Sequence, residues 1–181
     1  MNIVHWSVDL QLRAEMFLKQ CRMERDFCQY VGPAELQVNE NYLFYQGKVS
    51  KKWPARLVRK WFNEFGYRQS WDNFYMNRSQ SVGNFSHLIY PLVQLIGCNA
   101  AHLPSGHYMF VCYYWPRTGS RYKADFLFGA PCSQCNPKVP VCSRIFKGLC
   151  GIDIEISKSM TLCKAEFSRF VGVLLLLILF N

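Results

Sequence analysis

Residues 95–116 read LIGCNAAHLPSGHYMFVCYYWP. Two apolar runs, 95–101 and 107–114, are parted by His102-Leu103-Pro104-Ser105-Gly106. Apolar runs divided by turn formers predict an antiparallel strand pair. Cys98 falls on the first strand and Cys112 on the second. That placement suits a cross-strand disulfide, provided the register brings the two Cβ atoms close.

Working upstream, Leu10, Ala14, Phe17 and Cys21 recur at steps of four, three and four within residues 6–21. Such spacing is one face of an amphipathic helix, and Ser7 and Asp9 suit its opening. Residues 32–50 mix Gly, Pro, Asn and aromatics and read as a long surface loop. Residues 53–67 predict a second helix with Pro54 near its start and Gly66 near its end. Leu57, Trp61 and Phe65 mark its inner face, with Val58 and Phe62 beside them. Residues 69–83 read as polar and aromatic loop, and residues 84–94 as a short third helix.

Downstream of Tyr122, Cys132, Cys135, Cys142 and Cys150 sit among Pro, Ser, Gln and Gly with few core-type residues. This is a small cysteine-stapled tail rather than a second hydrophobic domain. A four-thiolate zinc site would be expected to carry two close cysteine pairs, and here there is one. Two disulfides of open connectivity are the expected state. The domain reading is one α/β domain over residues 1–122, a cysteine-rich extension over 123–163 and a hydrophobic tail over 164–181.

The chain has 181 residues, long enough for one domain with a real core, and half of them are apolar. That composition excludes bulk disorder. Nine cysteines favour an oxidising compartment, and the odd count leaves at least one thiol without an internal partner. A net charge of +9 attracts anionic surfaces without choosing among them. Residues 1–6 carry no leader-like pattern. Residues 170–180 form an apolar run too short to span a bilayer. It reads either as an inert tail or as a lipid-anchor signal with Ser157 or Ser159 as acceptor.

Lys52, Arg56, Arg59 and Lys60 share one side of the second helix, in a stretch that also holds Lys48 and Lys51 and no acid. The bland reading is a solvated face; the sharper one is a docking patch for sulfated glycans or anionic lipid headgroups. Aromatics do not interleave with these cations, which excludes a nucleic-acid platform. Asn77-Arg78-Ser79 and Asn84-Phe85-Ser86 are glycosylation acceptors, and Asn77, in predicted loop, is the better candidate.

Three stretches, in order, resemble one family. The first is Trp6, Leu10, Ala14, Phe17 and Cys21, followed by Cys28. The second is Trp61-Phe62-Asn63-Glu64, then Gly83-Asn84-Phe85-Ser86-His87-Leu88-Ile89-Tyr90, then Gly97-Cys98. The third is Tyr108-Met109-Phe110-Val111-Cys112-Tyr113-Tyr114-Trp115-Pro116. Together they are similar to the cysteine-rich secretory protein, antigen 5 and pathogenesis-related (CAP, or SCP-domain) superfamily, above all to insect venom-allergen members. The resemblance implies an α+β fold: an α-β-α sandwich with a small antiparallel sheet between helices, plus the short cysteine-rich tail. It also implies secretion, and it places the family's first helix, leader and N-terminal cysteines before Met1. The partners of Cys21 and Cys28, and the state of Cys163, stay open.

Many members of that family line a cleft with two His and two Glu, able to hold a divalent metal. Carried over, the glutamates match Glu40 and Glu64, and the histidines match Arg25 and Asn84. Neither replacement is a good zinc ligand, and Arg25 between two carboxylates suggests an ion network. His87 reads as a satisfied helix histidine, and His5, His102 and His107 show no spacing with the carboxylates. The expectation is therefore a secreted, non-enzymatic binding protein with no catalytic residue, no metal and no cofactor. Its partner would be a lipid, a glycan or a protein, with the aromatic loop Tyr42, Phe44 and Tyr45 as an apolar contact. The rival readings are a metal-dependent hydrolase using Glu40 or Glu64 as base, and a truncated, inactive paralogue.

Overall fold

The computed structural model describes residues 1–22, 24, 26, 30–31, 36–49, 53–64, 83–117, 129–137 and 140–153. In chain order the elements are β1 (His5–Trp6), α1 (Val8–Leu18), β2 (Tyr30–Val31), β3 (Leu36–Gln37) and β4 (Asn39–Gln46). They continue with α2 (Trp53–Asn63), α3 (Gly83–Leu88), β5 (Leu95–His102) and β6 (His107–Trp115). The main sheet runs β1-β5-β6-β4, and β2 and β3 form a separate two-stranded pair.

The hairpin that opened the sequence reading is the centre of this sheet. β5 and β6 are antiparallel with Cys98 opposite Cys112, and the two are bonded. β6 pairs antiparallel with β4 through eight residue pairs, from Asn39 opposite Tyr114 to Gln46 opposite His107. β1 adds a parallel pair to β5, so the sheet is mixed rather than wholly antiparallel.

Strand alternation divides the side chains into two cores. On one face Val111, Met109 and Tyr113 of β6 meet Leu10, Ala14, Phe17 and Leu18 of α1. On the other, Phe110, Cys112, Tyr114, Ile96 and Cys98 meet Leu57, Val58 and Trp61 of α2 and Phe85 and Leu88 of α3. The result is a helix-sheet-helix sandwich. Each fully buried aliphatic or aromatic side chain contributes about 1.5–3 kcal/mol.

α1 sits almost directly on the sheet backbone. A Cβ placed on Gly97 would lie 2.3 Å from the Gln11 backbone nitrogen. Glycine is required there by close approach. Ser7 caps the helix, its hydroxyl accepting from the Leu10 N–H at 3.3 Å, with Asp9 in the first turn.

The structure corrects several expectations. The segment 32–50 is not all loop: β4 occupies its second half, and Asn39, Glu40 and Asn41 are buried. Its polar residues are strand residues: Asn41 and Glu40 Oε2 find hydrogen-bond partners inside the protein. Helix α1 starts at Val8, because His5 and Trp6 are taken up by pairing with Leu95 and Ile96. α3 ends at Leu88 rather than reaching 94, since Pro91 disfavours helical geometry at Tyr90 and cannot donate an amide. The second helix is described as far as Asn63, and the expected loop 69–83 lies almost wholly outside the described residues. Among the described residues no helix is long and apolar enough to cross a membrane.

In the tail, Cys132 bonds to Cys142 and Cys135 to Cys150. The tail is tied to the start of the chain: the Ile3 N–H donates to Cys150 O at 2.8 Å, and the Cys150 N–H to Met1 O at 2.8 Å. Ile3, Leu149 and Phe146 form a small apolar cluster beneath this join. Ser143 Oγ and the Arg144 N–H both donate to Asp153, which holds its carboxyl below the usual range.

Candidate functional site

Glu64 follows the last residue of α2, and Asn84 stands in the first turn of α3. The Asn84 side-chain amide donates to Glu64 Oε1 at 2.7 Å, and the Phe85 N–H donates to Glu64 Oε2 at 3.3 Å. Asn84 Oδ1 accepts from the Tyr42 N–H of β4 at 3.2 Å. One asparagine thus ties the ends of two helices to the edge strand of the sheet.

Asn41, fully buried on β4, completes the tie. Its Nδ2 donates to Asn84 O at 2.9 Å and to the Tyr114 hydroxyl at 3.1 Å. Its Oδ1 lies 2.6 Å from His87 Nδ1. Because Nδ2 is committed as donor, Oδ1 must accept, so the proton of His87 sits on Nδ1. Burial pushes the Tyr114 phenol well above its ordinary value. His87 is the satisfied helix histidine that was expected.

Glu40 belongs to the other side of β4. It stands opposite Tyr113 in register, on the face that meets α1. Its Oε2 accepts from the Asp26 N–H at 3.0 Å. Asp26 in turn accepts from the Tyr113 hydroxyl at 2.6 Å and is ion-paired with Arg13 of α1. Burial, the bond to Asp26 and the charges of Asp26 and Glu40 push the Tyr113 phenol well up, against the pull of Arg13. Glu40 and Glu64 therefore flank the edge strand, one serving each face.

Arg25, the expected cation of this region, lies outside the described residues, as do Cys28, Lys52, Asn77 and Cys163. The cation seen at Asp26 is Arg13, which the sequence reading passed over together with Asp26, Asn41 and Tyr113. A signal for Arg13 existed. It lies three residues after Leu10 and four before Phe17, on the buried flank of α1, where a guanidinium needs an internal acid.

The remaining candidates are dispersed. His102 packs its ring 4.7 Å from Tyr108, and His107 Nδ1 lies 3.2 Å from Ser105 O. Cys21 is an exposed free thiol. Among the described residues the only close group of three or more potential metal ligands is Cys132, Cys135 and Cys150. All three sulfurs are spent in disulfides. Tyr42, Phe44 and Tyr45 are strand residues rather than a loop. Tyr42 and Phe44 pack toward α1 with rings 5.6 Å apart, and Tyr45 emerges on the opposite side, at the edge of a groove beside α2. Arg56, Arg59 and Lys60 are exposed on α2.

Comparison with known proteins places this architecture. The chain is 27% identical over 121 residues to "Antigen 5 like allergen Cul n 1" of Culicoides nubeculosus, covering 64% of this chain and 53% of that protein. It is 25% identical over 124 residues to "Venom allergen 5.01" of Dolichovespula maculata, covering 64% and 52%. The chain thus spans about half the length of these relatives. Among solved structures it is similar to Na-ASP-1, with a TM-score of 0.62 at 19% identity, over 83% of this chain and 38% of that one. It is also similar to NaASP2, solved with Zn2+, with a TM-score of 0.59 at 20% identity, over 83% and 77%. Residues 1–114 match the profile of CAP, the cysteine-rich secretory protein family. The chain belongs to that family.

Proposed function

We propose that the protein is a secreted, non-enzymatic binding module, acting on a lipid, glycan or protein partner outside the cell. The observation that carries this is the commitment of Glu64. Both its oxygens accept hydrogen bonds from the chain's own amides, Asn84 Nδ2 and Phe85 N–H. A general base needs a carboxylate oxygen turned to the proton it will remove. A zinc site needs imidazole, thiolate or carboxylate lone pairs converging on one point. Asn84 instead offers a donor to Glu64 and spends its carbonyl on Tyr42, while Glu40 serves the other face of β4. The residues present do not fit zinc.

Secretion is supported by the three disulfides among the described residues, since such bonds form and persist chiefly in oxidising compartments. The test is turnover. Purified, fully oxidised protein is expected to leave p-nitrophenyl acetate and a casein substrate untouched above buffer, with or without added zinc. Hydrolysis that is lost in Glu64→Gln would return the hydrolase reading to first place.

A further inference from the structure

Between α2 and the outer face of β4 and β6 lies a groove with a cavity of about 100 Å³. Its floor is apolar: Leu43, Leu57, Phe110 and Trp53, the last packing its ring 4.5 Å from Phe110. Its rim is cationic: Lys48, Arg56 and Lys60. All three are exposed, and among the described residues none of them is in an ion pair or other polar contact. Among the described residues no acid lines the groove. This resolves the basic face of α2 into parts: Arg56 and Lys60 border the groove, and Arg59 does not.

We infer that this groove docks an acidic protein segment carrying one bulky apolar side chain, which seats in the notch while flanking carboxylates meet Lys48, Arg56 and Lys60. Three observations select this occupant. Charge selects an anion, and a second copy of this chain, at +9, would be repelled. The apolar floor disfavours a sulfated glycan, which has no apolar anchor to offer. Size then separates a side chain from a lipid. A cavity of about 150 Å³ encloses one whole benzene, so this open notch of about 100 Å³ seats the inner part of a single ring or branched side chain, and not the length of an acyl chain. A buried apolar anchor ringed by charged contacts is the usual anatomy of a binding hot spot. The inference names the partner class for the binding role proposed above, yet it rests on a different surface from the Glu64 site.

The experiment is fluorescence anisotropy with the labelled heptapeptide Glu-Glu-Asp-Phe-Asp-Glu-Glu and its Phe-to-Ala counterpart, using the full oxidised chain. The phenylalanine peptide is expected to bind at least ten-fold tighter than the alanine one. Binding should weaken at least ten-fold in Arg56→Glu with Lys60→Glu, and also weaken as salt rises. Val49→Trp, which narrows the notch and keeps the cations, should abolish the preference for phenylalanine. Equal binding of the two peptides, or binding indifferent to the charge reversal, overturns the inference. So does saturable binding of laurate that is lost in the same charge-reversed variant while the peptide fails to bind. An active hydrolase that still bound the peptide would sink the non-enzymatic reading and leave this groove assigned.

Discussion

Asn84 Nδ2 stands 2.7 Å from Glu64 Oε1, and Asn84 Oδ1 stands 3.2 Å from the Tyr42 N–H. One side chain therefore reads a carboxylate with its donor end and a strand amide with its acceptor end. An imidazole at that position could also join Glu64, but as a metal ligand it would offer a lone pair where the amide offers N–H. The arrangement is a structural clasp between α2, α3 and β4. Buried polar groups that are fully paired hold a unique arrangement, and their loss is costly because the partners stay buried.

Asn41→Leu tests the clasp from its centre. It leaves Asn84 O, the Tyr114 hydroxyl and His87 Nδ1 without their common partner. A loss of about 3 kcal/mol is expected in urea unfolding. An unchanged midpoint would show that the clasp carries no stability.

Gly97→Ala tests the packing of α1. The added Cβ would meet helix backbone at 2.3 Å, and backbone cannot swing aside as a long side chain can. Displacing α1 should cost about 3 kcal/mol or more. A thermal midpoint within a degree of the parent would mean that α1 does not rest on β5 as described.

The Cys98–Cys112 bridge encloses a separation of 14 residues. Replacing both with alanine should remove about 2–4 kcal/mol, read as a clear fall in melting temperature with the tail disulfides intact. Non-reducing peptide mapping of the parent should recover the two cysteines as one cross-linked pair.

Alkaline pH provides a further check. Burial raises both Tyr113 and Tyr114, with Asp26 adding to the rise at Tyr113. A raised phenol stays protonated in the fold while the unfolded chain ionises near 10. Stability from these groups is therefore full below about pH 10 and falls as pH climbs above it. Absorbance at 295 nm should register two tyrosines that ionise only as the protein unfolds. Their titration with the exposed tyrosines, in a protein still folded by circular dichroism, would contradict the buried placement.

How far the sequence could be read depends on where apolar periodicity is intact. α1 and the β5–β6 hairpin announce themselves, because Leu10, Ala14 and Phe17 face a core and Cys98 faces Cys112. β4 does not. Its first three residues, Asn39, Glu40 and Asn41, are buried polar groups, which a single sequence cannot tell from a loop until their partners are known. The partners of Glu40 and Asn41, which are Asp26, Asn84, His87 and Tyr114, lie 14 to 73 residues away. The family resemblance pointed to Arg25, Glu40, Glu64 and Asn84 as a set of positions, of which Arg25 lies outside the described residues. The candidate site was not legible as geometry. That Glu40 serves Asp26 on one face and Glu64 serves Asn84 on the other follows from strand alternation, and so needed β4 to be recognised first.

Calorimetric zinc titration of the fully oxidised protein bears most directly on the non-enzymatic account. Oxidation matters because it keeps the tail sulfurs from acting as ligands. The account predicts no binding tighter than the millimolar range, about −4 kcal/mol. Micromolar zinc binding by the unmodified protein, lost in Glu64→Gln, would contradict it.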